Sequence, residues 1–142
     1  MTKKRALELL NQLLHVEYRS FPMYLTEASP WIDRGDEKAA AALDNIVADQ
    51  KLMTQRIAEF ILDSGGRIEP GEYPMEFTDT HFLSLDFLLG EVLRYQQQDI
   101  AAIEFIAEQL SEVRAARELA EETLGMERAH REAIEALIAQ PA

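Results

Sequence analysis

Apolar residues recur every three or four positions along four long stretches of this chain, the period of helices that each bury one face. The first stretch, about 3–29, carries Ala6, Leu10, Leu13, Phe21 and Tyr24 on its inner stripe. Pro22 lies inside it. A proline there removes the bond to the Tyr18 carbonyl and predicts a kink. The second stretch, about 36–64, opens at Asp36 as N-cap, buries Leu43, Ile46, Ile57 and Phe60, and stops at Gly65-Gly66. The third, about 80–110, is capped by Thr78, Asp79 or Thr80 and buries Leu85, Leu89, Val92, Ile103, Ile106 and Leu110. The fourth, about 112–139, takes Ser111 as its cap and buries Leu119, Thr123, Ile134 and Leu137.

The connections predict the architecture. Short turns follow the first and third stretches, so each pair is an antiparallel hairpin. The segment between the second and third stretches is longer and holds Pro70, Gly71 and Pro74. A helix of about 28 residues is roughly 42 Å long, and about 14 extended residues reach roughly 46 Å. The segment can therefore run the length of the bundle. The expectation is an all-α, single-domain four-helix bundle, residues 1–142, made of two helical hairpins and one long crossover.

The apolar stripes are interrupted at one level. Glu17 falls on the inner stripe of the first helix, Gln50 and Met53 on the second, Gln96 and on one reading Asp99 on the third, and Glu127 and His130 on the fourth. Gln96 and Glu127 lie almost equally far along the chain on either side of the turn at Ser111, so the two share a height. Unpaired charged carboxylates on a core face cost on the order of several kcal/mol each. A divalent ion or a hydrogen-bonded network offsets that cost. His15, close to Glu17 in sequence but on another face, and His81 are expected at the surface. Tyr18, Trp31 and Tyr95 are expected to serve packing or an interface.

The pattern resembles the ferritin-like superfamily, bacterioferritin and rubrerythrin most. Their signature is a Glu on the first and third helices and Glu-x-x-His on the second and fourth. Glu127-Arg128-Ala129-His130 matches the last motif and Glu17 the first ligand. Tyr24 is similar to an aromatic of the bacterioferritin first helix, and the step from Glu17 to Gln50 resembles the family's spacing. The second motif reads Gln50-Lys51-Leu52-Met53 here, and Gln96 stands nearest the third helix's Glu, with Glu91 and Asp99 as neighbours. What the resemblance implies is a partial site with Glu17, Glu127 and His130 as ligands, and with Gln50, Met53 and Gln96 as degenerate or supporting positions. Two aligned carboxylates neutralise one divalent ion, not two. The implied cofactor is one ion of iron, manganese or zinc, or none. Haem is not expected, since the family's haem-ligating Met position looks like Lys51 or Leu52. A cage is not expected either, because the chain ends at Ala142 without a fifth helix.

Charge and composition narrow the partners. The 142 residues hold 14 Lys and Arg against 26 Asp and Glu, a net charge of −12. That sign disfavours nucleic acid and anionic membrane surfaces. The absence of cysteine removes disulfides and thiolate chemistry. No signal peptide or membrane span is legible, so a cytoplasmic protein is expected. Two functional readings stay open: a bundle holding at most one divalent metal, or a non-catalytic interaction bundle whose polar core is hydrogen-bonded. In either, a homodimer through the apolar hairpin edges is expected, and di-iron oxidase or ferroxidase activity is not.

Overall fold

A computed structural model describes residues 1–28, 37–80 and 85–140. Among these, the regular elements are all helical: α1 Lys3–Tyr18, α2 Phe21–Ala28, α3 Glu37–Asp63, a short 3₁₀ helix Met75–Thr80, α4 Leu85–Gln109 and α5 Arg114–Ala139. The helical period of the apolar positions thus yields a helical bundle. No described helix is long and apolar enough to cross a membrane. The expected turn at 30–36 with its Asp36 cap, and Trp31 and His81, lie outside the described residues.

Local chemistry explains the ends. The Thr2 hydroxyl accepts from the Arg5 amide at 3.1 Å and caps α1. Gly65 takes φ +81°, and the amides of Gly65 and Gly66 donate to the carbonyls of Leu62 and Ile61, both at 2.9 Å. This paired arrangement terminates α3 where the sequence predicts it. One other expected boundary is corrected. Ser111 does not cap α5: it sits in the preceding turn, its carbonyl accepting from Arg117, and Val113 occupies the cap position without a side-chain bond. Thr78, Asp79 and Thr80 belong to the 3₁₀ helix, and the residues that lead into Leu85 lie outside the described residues.

The single first helix is also corrected. Pro22 does more than bend it. The chain leaves helical geometry at Arg19 and restarts at Phe21. Ser20 starts the new helix: its hydroxyl accepts from the Met23 amide at 3.2 Å and its carbonyl from the Tyr24 amide at 3.1 Å. With no N–H of its own, Pro22 fits best in the first turn of a helix. A restart at Ser20 places it there.

Two apolar clusters make the core. One joins Leu10 and Leu13 of α1 to Ile57 and Ile61 of α3, Ile103, Ile106 and Leu110 of α4, and Leu119 of α5. The other joins Phe21 and Leu25 of α2 to Leu43 and Ile46 of α3, Leu88 and Val92 of α4, and Ile134 of α5. The order of residues in these clusters sets the directions. α1 runs against α3, α4 runs against α5, and α3 and α4 point the same way. The segment between Gly66 and Leu85 must return the length of the bundle.

That return is fastened to α1. Asn11 donates to the Arg67 carbonyl at 2.9 Å and accepts from the Glu69 amide at 2.7 Å. His15 Nδ1 lies 2.7 Å from the Pro70 carbonyl, and Arg19 Nε donates to the Gly71 carbonyl at 2.8 Å. Residues 11, 15 and 19 are successive i,i+4 neighbours, so one stripe of α1 and its C-cap holds the strap. His15 is therefore a half-buried clamp rather than the surface residue the sequence suggested. Beyond it, Phe77 stacks among Phe21, Tyr24 and Tyr95, with ring centroids 4.9, 5.5 and 4.9 Å away. This aromatic group is part of the second apolar cluster, and Tyr95 packs as expected.

Gly71 tests the strap. Its φ is +72°, and an added Cβ would lie 2.9 Å from His15 Nδ1. Gly71→Ala should destabilise the fold by about 1–2 kcal/mol through the left-handed backbone alone. Removing the obstructing ring with His15→Ala should make the pair less than additive. Urea unfolding of the two single variants and the double variant checks this, and strictly additive losses would refute the contact.

Candidate functional site

Between the two apolar clusters lies a polar layer. Glu17 comes from the last turn of α1, Gln50 from the middle of α3, Gln96 and Asp99 from α4, and Glu127 from α5. Glu17 and Glu127 are 0% and 1% exposed, and Gln50 and Gln96 are buried beside them. Of the positions read from the stripes, Glu17, Gln50, Met53, Gln96 and Glu127 thus point inward. Met53 is buried in the first apolar cluster. Its thioether packs with Leu and Ile.

A chain of hydrogen bonds runs through the layer. The Met23 amide donates to Ser20 Oγ at 3.2 Å. The Ser20 hydroxyl donates to Gln50 Oε1 at 2.6 Å. Gln50 Nε2 donates to Glu127 Oε2 at 3.2 Å. The other polar atoms have no such partner. Both oxygens of Glu17, Oε1 of Glu127 and both amide atoms of Gln96 are buried without a hydrogen bond. An orphaned buried polar group costs about 1–3 kcal/mol, and more when charged. The layer thus holds an unusual concentration of unmet acceptors.

Burial governs the ionisation of these groups. Loss of water raises the Glu17 carboxyl well above its ordinary value, and the charges of Glu127 and Asp99 raise it further. Burial lifts Glu127 to about 7, although the amide of Gln50 favours its charged form. Asp99, half-buried, is lifted to about 8 by desolvation and by Glu127. Asp99 therefore faces the layer rather than the bundle edge, a point the sequence leaves open. Glu91 does not: it is paired with Arg94 at 2.7 Å on the outer side of α4.

His130 is not drawn into this group. Its Nε2 lies 2.9 Å from Asp49 Oδ2 on α3, within ion-pair range but off the line of a hydrogen bond. It makes no hydrogen bond with Glu17 or Glu127. The imidazole sits at the α3–α5 seam, beside a shallow cavity lined by Asn45, Asp49 and Ala133. His130, expected as a ligand beside Glu17 and Glu127, is placed against Asp49 instead. The sequence places both Glu127 and His130 on the inner stripe of α5; the structure buries Glu127 and leaves His130 half-buried at the stripe's margin. Among the described residues, no three His, Asp or Glu side chains stand close enough together to form a ready ligand set.

Two members of the arrangement escape the sequence reading. Ser20 has a signal: a serine two residues before a proline is a helix-start pattern. Asp49 has none, since it lies one position off the inner stripe of α3.

Both Glu127 and Asp99 bind a proton more tightly in the folded chain than in the unfolded one. Their contribution to stability is complete below about pH 4 and is lost as pH rises through about 7 and 8. In metal-free buffer, unfolding free energy should fall between pH 5 and 8, by an amount on the order of a few kcal/mol. Glu127→Gln should flatten that decline and be the more stable protein at pH 8. Denaturant midpoints across this range measure it; a wild-type profile that rises toward pH 8 would contradict it.

Comparison with family models, with curated proteins and with solved structures returned no significant match.

Proposed function

We propose that this chain is a ferritin-like helical bundle that binds a single divalent cation in its polar layer, with Glu17 and Glu127 as the charged donors. The observation that carries this reading is Glu17. Its carboxylate is fully buried, and neither oxygen has a partner. Protonation would remove the charge yet leave an acceptor unmet. A cation or an ordered water meets both needs, and a cation also relieves the repulsion among Glu17, Glu127 and Asp99.

The donors fit one ion. Once an ion displaces their protons, Glu17 and Glu127 supply two negative charges, enough to balance one divalent cation. Hard carboxylate oxygens with amide oxygens nearby suit manganese, iron or zinc. Bound there, such an ion would supply Lewis acidity at any position left to water. The chain's own contribution is a dry, shaped layer closed by apolar clusters on both sides. His130 and Asp49 line its α3–α5 edge, where the fourth-helix motif would otherwise add a ligand.

A second reading has its own support. The run from Ser20 through Gln50 to Glu127 is a continuous chain of hydrogen bonds, as a polar core kept neutral by protons would have. Elemental analysis and Zn²⁺ or Mn²⁺ titration of the purified chain separate the two. The cation reading expects close to one ion per chain, with uptake abolished in Glu17→Gln and Glu127→Gln. Uptake that ignores both substitutions would rule it out. The proton reading expects no ion and a stability gain in Glu17→Gln at neutral pH.

We also assign to this bundle a homodimer through α4. Phe87 and Phe105 are both about half exposed. Their spacing is a whole number of helical turns at about 3.6 residues per turn, so they lie on one line of that helix. Light scattering should give a dimer mass that falls to the monomer in Phe87→Lys/Phe105→Lys. A monomer mass for the wild-type chain would remove the assignment.

A further inference from the structure

We propose that Ser20, the residue that begins α2, is a positioning residue for the core site: it fixes which way the Gln50 amide points, and so which oxygen of Glu127 is left to face Glu17. The proposal rests on the cation reading above and extends it to a residue outside the ligand set.

The argument follows the direction of each hydrogen bond. A primary amide has nearly the same shape at both ends, so its neighbours decide its orientation. Ser20 Oγ is already an acceptor for the Met23 amide at 3.2 Å. The hydroxyl still has a second lone pair and its proton to offer Gln50, and in the structure it donates the proton, 2.6 Å away. A donor there requires the amide oxygen, and Oε1 is the end that faces it. Nε2 must therefore face α5, where it donates to Glu127 Oε2 at 3.2 Å. Turned around, the amide would set its carbonyl oxygen against a carboxylate oxygen.

The consequence for the site is an asymmetry. Glu127 Oε2 is held by Gln50, while Oε1 is buried without a partner, as are both oxygens of Glu17. These three are the oxygens available to a cation. Without the Ser20 hydroxyl, Gln50 is free to turn, and Glu127 loses the bond that fixes its carboxylate plane. Outer partners of this kind change metal affinity about 10–100-fold when removed. Ser20 also caps α2, so the start of α2 and the state of the site are coupled, and the coupling acts in both directions.

The test uses the full-length chain and Zn²⁺ alone. Calorimetric titration compares the wild type with Ser20→Ala, Ser20→Thr and Gln50→Leu. Affinity should fall about tenfold in Ser20→Ala and Gln50→Leu and stay near wild type in Ser20→Thr, which keeps the hydroxyl. Gln50→Leu leaves the cap of α2 intact, so a matching loss there separates the relay from a loosened helix start. A second readout needs no metal. The Gln50 side-chain amide protons, followed by NMR exchange in the metal-free protein, should be protected in the wild type and Ser20→Thr and lose protection in Ser20→Ala. Wild-type Zn²⁺ affinity in Ser20→Ala, or unchanged Gln50 protection, overturns the proposal. If the wild type takes up no Zn²⁺ while Gln50 loses protection in Ser20→Ala, the cation reading fails and the positioning of Gln50 by Ser20 stands.

Discussion

The middle of this bundle is organised by one constraint: a carboxylate at position 17 is held where water does not reach it. Neither oxygen of Glu17 meets a donor, and its nearest charged neighbours are other carboxylates. In a medium of low effective dielectric such a group is tolerated only when neutralised. The apolar clusters on either side make the layer dry, so the stability they confer and the cost of the layer have the same source. Any account of what the protein does has to supply the charge, proton or water that Glu17 lacks.

A single proline links the backbone to that layer. Because Pro22 cannot donate, it fits the first turn of a new helix, not the interior of an old one. The chain breaks at Arg19, and Ser20 becomes a cap whose hydroxyl is turned into the core. The same break aims Arg19 at the strap, its guanidinium carbon 4.4 Å from the Tyr18 ring centre and 5.0 Å from that of Tyr73. One local rule about proline therefore sets the donor that orients Gln50 and the residue that fastens the crossover.

Much of this was legible in the sequence, and the reason is periodicity. Glu17, Gln50, Gln96 and Glu127 sit at the centres of long apolar stripes, where a modest rotation of the helix leaves them inside. All four are buried. His130 and Asp99 sit at stripe margins, where the same rotation decides the outcome. One turned to Asp49 and the other to the carboxylates. His15 illustrates a different gap. Its partner is a backbone carbonyl far along the chain in the crossover, and no local pattern encodes where an irregular segment will lie. The cap at Ser111 failed for a related reason: a tight turn between antiparallel helices is shaped by tertiary packing as much as by capping preference.

The place of Gln50 argues that the layer is not simply a two-metal site with parts missing. A ligand that had drifted to an amide could still offer its carbonyl oxygen to an ion. Here that oxygen is committed to Ser20 at 2.6 Å, and the nitrogen to Glu127. A second ion near α3 would have to break both bonds and would find no added negative charge in return. The free acceptors lie instead on Glu17 and on one side of Glu127. Under the proposed cation reading, charge and hydrogen-bond direction point the same way: the open acceptors lie between α1 and α5, and on the α3 side the Gln50 amide already bonds Glu127.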